Sequence, residues 1–451
     1  MNLKSYSIAL LTVFILIGCS RSDKDEKLTT HISGQITVDN ELDSSGDYSG
    51  IELIVSFQDE MGELSDTLFY AVTDSMGYYS GTARYDQRDI YPVVILRNRN
   101  TFGVQNMVFA DGDSITFNAM IPNVSETASI QSYENDVFRT LQRVERGFTR
   151  VAQFINAGAI SQDSINIELE NWTNLFWEVY ENYPGTFAGI QAGNASVSIA
   201  SNWNDSLMVA RSEQVLESNR FLRTSARMAM VEYYAETEGL NSALAYLDRL
   251  ESIAIAENEL MNIQIDRIEL MYDSSLTVQA NAELDRFIEN FSDNRAAKEW
   301  ADSKKYDLEF LSPGSEFPEF AFETVTGDSV SSTSLLGKPY LLEISRLDNF
   351  LYQQQYDRTV AIHQIYSNFG LEIVTIPLAA NLVSIEAFYT ERGLHWDVAD
   401  PNSFNAEEII DTFNVNQVPT RFLVNTRGEL IRRYIGNEYD EIVRGLQQIT
   451  N

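Results

Sequence analysis

Two stretches near the C-terminal end of the chain decide its fold: GKPYLLEISRLDNFLY, residues 337–352, and VPTRFLVNTRGELIRRY, residues 418–434. In the first stretch, the turn residues Gly-Lys-Pro lead into an apolar run at 340–344, which predicts a buried strand. In the second, the polar segment 425–428 separates two more predicted strands, at 420–424 and 430–434. The two stretches therefore predict three strands.

The segment between these stretches predicts a helix and a fourth strand. Apolar residues recur at helical spacing over 349–369, and an apolar run follows at 371–376. Because parallel strands joined by a helix form a right-handed crossover unit, the region 313–451 is predicted to be an α/β domain. Further helices are predicted at 384–392, 404–413 and 441–449. The residues before this domain, 311–315, have the composition of a linker.

The order of these elements resembles that of thioredoxin-like proteins, the superfamily of thiol-disulfide oxidoreductases and peroxiredoxins. Residues 418–423 match the V-P-T-x-F-L pattern of that family. The resemblance implies a cis bond before Pro419 and a Cys-x-x-Cys pair just after the first strand. Counted from Gly337, that pair falls on Asn349 and Tyr352. Neither residue is a cysteine, so the resemblance implies the fold without its redox site.

The residues therefore predict no catalytic site. Thiol-disulfide exchange and peroxide reduction both need a thiolate nucleophile, which Asn349 and Tyr352 cannot supply. The histidines are His31, His363 and His395, far apart in sequence and without the spacing of metal ligands. No catalytic residue, metal or cofactor is expected.

A peptide groove can persist without a thiol. In thioredoxin-like folds, the residue before the cis proline offers its backbone to an extended peptide, which is a strand-addition contact. The resemblance therefore implies a peptide groove at Val418, Pro419 and Thr420. The alternative is that Pro419 is kept only because the fold requires that turn.

The N-terminal residues predict a lipid anchor. The chain has a single cysteine, Cys19, after a basic start at Lys4 and an apolar core at 8–17. That core is shorter than the roughly 20 residues that span a bilayer. It resembles a bacterial lipoprotein signal, which implies a signal peptide at 1–18, lipidation of Cys19 and a polar tether at 19–28. The alternative is an ordinary secretory signal with an incidental cysteine.

Residues 29–121 alternate between apolar and polar side chains, with turn residues between the runs. This pattern predicts a β-sandwich of about seven strands. Strands are predicted at 31–38, 51–57, 67–72, 78–80, 91–96, 104–109 and 114–117. The region resembles the small β domain that precedes thioredoxin-like modules in many Gram-negative lipoproteins.

Residues 122–312 change to helical spacing, with breaks at 183–185, 202–205 and 290–294. They predict an irregular helical bundle; a repeat array is the alternative, although no period of about 34 residues is sustained. Trp172, Trp177 and Trp203 lie in this region. We expect them in the core, although exposed tryptophans could stack on sugars.

Composition limits the function. The chain of 451 residues has 66 acidic and 32 basic residues, a formal charge of −34 that repels phosphate backbones and argues against nucleic-acid binding. The sequence predicts a lipid-anchored protein of the cell envelope, at the outer membrane. Its redox-inactive thioredoxin-like domain would bind an envelope protein or an extended peptide as a scaffold. The alternatives are an oxidoreductase-family protein that works with a partner's cysteines, and a glycan-capture lipoprotein that uses the helical domain.

Overall fold

The computed structural model describes residues 27–58, 64–156, 159–436 and 438–450. The predicted signal peptide and Cys19 lie outside the described residues. The described chain divides into two compact units between Tyr246 and Leu247. This division falls inside the region 122–312, and the three-domain boundaries stay a prediction. Within the described part of the chain, no helix is both long enough and apolar enough to cross a membrane.

The N-terminal unit begins with a strand-rich region, as predicted. Every stretch predicted to be a strand between residues 31 and 117 lies in an observed strand. The strands are β1 (Leu28–Val38), β2 (Ile51–Gln58), β3 (Leu64–Val72), β4 (Tyr78–Tyr85), β5 (Asp89–Arg97), β6 (Asn100–Phe109), β7 (Ser114–Ile121) and, further along, β8 (Ser129–Gln131).

These strands form two sheets that share one apolar core. One sheet has the order β4-β1-β7-β8 and the other β3-β2-β5-β6. Ile32 and Ile36 from the first sheet are fully buried in the same cluster as Leu53 and Val93 from the second. Along β7, alternate residues such as Ile115, Phe117 and Ala119 are buried in this cluster, because successive side chains of a strand face opposite sides of the sheet.

Helices follow the strands in the same unit. They are α1 (Val124–Thr127), α2 (Tyr133–Asn156), α3 (Gln162–Asn182), α4 (Phe187–Ala200), α5 (Asp205–Asn219), α6 (Thr224–Thr237) and α7 (Leu240–Ile253), the last of which crosses the division between the units. Asn135 at the start of α2 binds β6 in the way that a neighbouring strand would. Its Oδ1 accepts from the Val108 N–H and its Nδ2 donates to the Val108 carbonyl, both at 2.9 Å.

The C-terminal unit contains three helices and an α/β domain. The helices are α8 (Glu257–Asp273), α9 (Thr277–Asn290) and α10 (Arg295–Phe310). The strands are β9 (Ala321–Glu323), β10 (Ser329–Ser331), β11 (Tyr340–Ser345), β12 (Glu372–Pro377), β13 (Asp397–Val398), β14 (Thr420–Val424) and β15 (Leu430–Ile435). The remaining helices are α11 (Phe350–Tyr366), α12 (Leu382–Arg392), α13 (Ala406–Thr412) and α14 (Tyr439–Thr450).

The central sheet has the order β13-β12-β11-β14-β15. Strands β11 and β12 are parallel and joined through α11, as predicted, whereas β14 runs antiparallel to both β11 and β15. All six residues of β11 are buried, because each face of the sheet carries its own core. Leu342 and Ile344 belong to one core and Leu341 to the other.

The segment predicted to be a linker is packed into this domain. Leu311 is fully buried in the core that contains Leu342, and the Gly314 N–H donates to the Leu430 carbonyl at 2.7 Å. Composition missed this packing, since proline and glycine mark a turn of the chain and do not show whether that turn is exposed.

Candidate functional site

Three loops meet at one edge of the central sheet. Strands β11 and β12 are parallel and end at this edge, and the antiparallel β14 begins there. The loops therefore lie at 346–349, 378–381 and 416–419. A backbone hydrogen bond of 2.7 Å from the Leu378 N–H to the Ser345 carbonyl joins the ends of the first two strands. We call this edge the carboxyl edge, because β11 and β12 both end there. The residues that the sequence predicted as a candidate site, Asn349 and 418–420, lie at it.

Asn349 joins two of these loops. It is the N-cap of α11, where its Oδ1 accepts from the Tyr352 N–H at 3.0 Å. Its Nδ2 donates to the Val418 carbonyl at 3.2 Å. The peptide bond between Val418 and Pro419 is cis, as the resemblance implied. The structure thus brings Asn349 and the cis-proline loop together, and a side-chain amide rather than a thiol makes the contact.

Tyr352 points away from solvent into the core. Its side chain is 0 % exposed and stacks on Phe388, with ring centroids 6.0 Å apart. Burial, together with the nearby Glu343 carboxylate, raises the pKa of the Tyr352 phenol well above its usual range. The position predicted for the second cysteine therefore holds a neutral, inaccessible ring that packs the domain.

A buried ion pair lies beneath the first turn of α11. Glu343 on β11 faces Arg421 on β14 in the sheet register, with the Arg421 Nε 2.7 Å from Oε1 of Glu343. The two side chains are 0 % and 1 % exposed. Nη1 of Arg421 donates to Gln355 at 2.9 Å, and the Thr375 hydroxyl donates to the Glu343 carboxylate at 3.1 Å. Helix α11 and strand β12 thus each supply a polar partner to the pair.

The guanidinium also contacts aromatic rings. It lies 4.7 Å from the ring centroid of Tyr439, and Gln355 continues the network by donating to the Gly436 carbonyl at 3.1 Å. Sequence reasoning missed this network. The available signal was two charged residues, Glu343 and Arg421, inside strands predicted to be buried, since buried charges in proteins are normally paired.

Exposed apolar side chains surround the edge. Phe350, the first residue of α11, is 73 % exposed, and Val383 near the start of α12 is 76 % exposed. Leu382 beside it is also exposed. Sequence reasoning did not single out Phe350, because a phenylalanine at a helix start looks the same whether it faces water or the core.

The three predicted groove residues differ in accessibility. Val418 is half-buried, whereas Pro419 and Thr420 are buried. The Thr420 hydroxyl donates to the Gln417 carbonyl at 2.5 Å, so it is engaged within its own turn. Because Pro419 and Thr420 are buried, only the part of the predicted groove at Val418 is open to a partner.

The other sequence candidates do not form a site. Among the described residues, no group of three or more histidine, cysteine, aspartate or glutamate side chains is arranged to hold a metal ion. Trp177 is buried, and the indoles of Trp172 and Trp203 are half-buried. The indole N–H of Trp203 donates to Thr173 at 3.0 Å, and that of Trp172 donates to Glu168 at 3.1 Å.

Comparisons with known proteins agree with a thioredoxin-like region. The chain is 25 % identical over 145 residues to a thiol-disulfide oxidoreductase ResA of Bacillus thuringiensis, a match that covers 32 % of this chain and 82 % of the relative. The ResA of Bacillus subtilis is 21 % identical over 135 residues, covering 30 % of this chain and 74 % of the relative. No protein-family model matches the chain.

A solved structure of a thiol:disulfide interchange protein DsbE from Chlorobium tepidum is also similar. It is 20 % identical, covers 30 % of this chain and 98 % of that protein, and has a TM-score of 0.27. The sequence match to the ResA relatives supports a thioredoxin-like thiol-disulfide oxidoreductase fold in part of this chain, whereas the sequence contains a single cysteine, Cys19.

Proposed function

We propose that this protein is a lipid-anchored component of the cell envelope whose thioredoxin-like domain is redox-inactive and serves as a binding or assembly scaffold. One observation carries the proposal. Asn349 occupies the position implied for the first cysteine and binds the cis-proline loop, while Tyr352 at the second position is part of the core. Neither of these two positions on the carboxyl edge therefore supplies a thiol nucleophile.

The absence of a thiol removes the reaction path of the relatives. Disulfide exchange proceeds through a mixed disulfide, which forms only when a thiolate attacks a sulfur. No described residue is a cysteine, and an acylated Cys19 would have no free sulfur. The two alternatives from the sequence, catalysis with a partner's cysteines and glycan capture by exposed tryptophans, gain no supporting observation.

The carboxyl edge has the features of a binding surface. Phe350 and Val383 expose apolar rings and methyl groups, and burying such groups is the main favourable term in association. An extended partner that paired with Val418 would share the Val418 carbonyl with the Asn349 amide, since a carbonyl oxygen can accept two hydrogen bonds. We therefore propose that the partner is an extended segment of another envelope protein, anchored mainly by apolar contact with Phe350.

Site-specific photo-crosslinking tests this role. Phe350 would be replaced by a photoreactive benzoyl-phenylalanine in the full chain, within the native envelope. The matched control is the same replacement at Phe369, which lies just beyond the other end of α11 and is 57 % exposed. We expect a discrete crosslinked protein from position 350 and none from position 369. Equal products at both positions, or none at position 350, would contradict the scaffold role.

A further inference from the structure

Helix α10 contacts the loop that leads to the cis proline. Asn414 lies in this loop, between α13 and β14. Its Nδ2 lies 2.7 Å from Oδ1 of Asp307 and 2.9 Å from the carbonyl oxygen of Ser303, both on α10. Asn414 has a φ of 45°, in the left-handed region that asparagine tolerates better than most residues. The amide therefore holds a turn that the backbone would not favour by itself.

Two more contacts extend this attachment along the loop. The Asn416 Nδ2 donates to the Ser303 hydroxyl at 2.9 Å, and the Tyr306 hydroxyl donates to the Thr412 carbonyl at 3.1 Å. Residues of α10 thus bind the last residue of α13, at position 412, and the loop at positions 414 and 416. Val418 follows two residues later, so these hydrogen bonds limit where the cis-proline turn can lie.

Asp307 is itself held firmly. Its carboxylate is almost fully buried and forms a bidentate ion pair with Arg433 on β15. Nζ of Lys304 lies 3.3 Å from the same carboxylate and 2.7 Å from Oε2 of Glu269 on α8. The two cations and two carboxylates balance in charge, which a buried cluster needs in order to be stable. Helix α10 is therefore attached to β15 through Asp307 and to α8 through Lys304.

We infer that α10 is a positioning element of the carboxyl edge, and that Ser303 and Asp307 are positioning residues for the loop that carries Val418 and Pro419. The inference rests on the proposed function only in treating that loop as part of a binding surface. Helix α10 precedes the thioredoxin-like domain in the chain, and the inference gives it a role in fixing the geometry of the carboxyl edge of that domain.

Hydrogen exchange of the full chain tests the inference. Asn414→Gly keeps a backbone that accepts a positive φ and removes only the amide. We expect the amides of residues 412–418 to exchange roughly tenfold faster, the change that corresponds to losing one or two net hydrogen bonds. The matched control is Asn98→Gly, the same substitution at an exposed residue with a φ of 53°. It should leave exchange in this loop unchanged.

A second pair of variants separates positioning from general stability. Ser303→Ala removes the hydroxyl that accepts from Asn416, whereas Ser303→Thr keeps a hydroxyl. We expect the alanine variant to speed exchange in the loop and the threonine variant to restore it, with exchange in α14 unchanged in both. Unchanged loop exchange in Asn414→Gly and Ser303→Ala would overturn the inference, as would a uniform acceleration across the domain.

The outcomes also distinguish this inference from the proposed function. Absence of crosslinks at position 350 in the otherwise unchanged chain contradicts the scaffold role, whatever the loop does. Faster loop exchange together with a loss of those crosslinks in Asn414→Gly is the result expected if both hold. Crosslinks that persist at full yield while the loop exchanges faster would overturn α10 as a positioning element of the binding edge.

Discussion

At the residue scale, Asn349 uses one side-chain amide for two contacts. Its oxygen caps α11, and its nitrogen holds the Val418 carbonyl. The cap is a local contact three residues along the chain, whereas the second joins residues 69 positions apart. The two contacts can be separated because different side chains keep one and lose the other.

Asn349→Ser and Asn349→Ala measure the two contacts in turn. Serine is a good N-cap but is too short to reach Val418, so it should lower the free energy of unfolding by about 1 kcal/mol. Alanine loses the cap as well and should cost about 1 kcal/mol more. Urea unfolding of the full chain, followed by a signal from the C-terminal unit, gives both values. An alanine variant as stable as the natural chain would show that neither contact contributes.

The contribution of the buried ion pair between Glu343 and Arg421 to stability can be measured with a double-mutant cycle. Arg421→Met leaves the carboxylate buried without its counter-ion and should cost about 3–5 kcal/mol. Adding Glu343→Leu removes the unpaired charge, and the double variant should recover most of that loss. Urea unfolding of the two single variants and the double variant measures the coupling between them.

A surface pair provides the control for this cycle. Arg346 and Asp348 are also an ion pair, at 2.8 Å, but both side chains are exposed. Arg346→Met should change stability little, because exposed pairs gain little from their charges in water. If the double variant at Glu343 and Arg421 were as unstable as the single variants, the pair would have a role that its charges alone do not explain.

At the element scale, helix α11 contributes both to the carboxyl edge, through its exposed first residue, and to the core, through its buried face. Tyr352, Gln355, Tyr356 and Thr359 are buried at helical spacing, whereas Phe350 faces solvent. Asn349 and Tyr352, the positions that the family resemblance implies for a cysteine pair, lie at the start of this helix. Its buried face belongs here to the aromatic core and the ion-pair network.

The purified chain should therefore show no turnover in insulin-disulfide or peroxide reduction. Asn349→Cys with Tyr352→Cys is the positive control, because two residues three positions apart at a helix start can bring their sulfurs together. Replacing the buried Tyr352 ring should cost about 3 kcal/mol or more in stability. Thiol titration after mild oxidation checks whether the pair closes, and the insulin assay checks turnover.

Either of two results would revise this view. Turnover by the natural sequence would contradict the redox-inactive assignment. A folded double-cysteine variant that cannot close its disulfide would show that Asn349 and Tyr352 are not the positions of the lost pair.

At the scale of the whole molecule, the described chain forms two compact units, and the second includes α8–α10 together with the thioredoxin-like domain. The contacts of α10 with residues 412–416 give a physical reason for that grouping. The net charge of −34 belongs to the entire chain and favours solubility.

Lipidation of Cys19 would determine where the whole protein is held. Cys19→Ser should abolish incorporation of labelled fatty acid, because the acceptor sulfur is gone, and the unlipidated protein should be either retained with its signal or released as a soluble form. Ser22→Ala, close by in the same segment, should retain the label. A labelled Cys19→Ser protein would rule out lipidation at this cysteine.

Much of the C-terminal domain can be predicted from the sequence alone: the order of its strands and helices, the turn at Pro419 and the presence of a single cysteine, Cys19, in the chain. These features are local: periodicity, turn residues and the identity of single positions can be read within a short window. The strand at 420–424 was predicted to the residue, because a proline begins it and a polar turn ends it.

The contacts between residues that are distant in sequence could not be predicted and were found only in the folded chain. The tertiary structure paired Glu343 with Arg421 across two strands, placed the Asn349 amide on Val418, and joined Ser303 to Asn414, 111 residues further along the chain. It also left Phe350 in solvent and buried Tyr352 two residues later. These contacts and exposures depend on which faces of the helices and strands pack together. A local sequence pattern does not contain that information, since each contact forms only when separate elements meet.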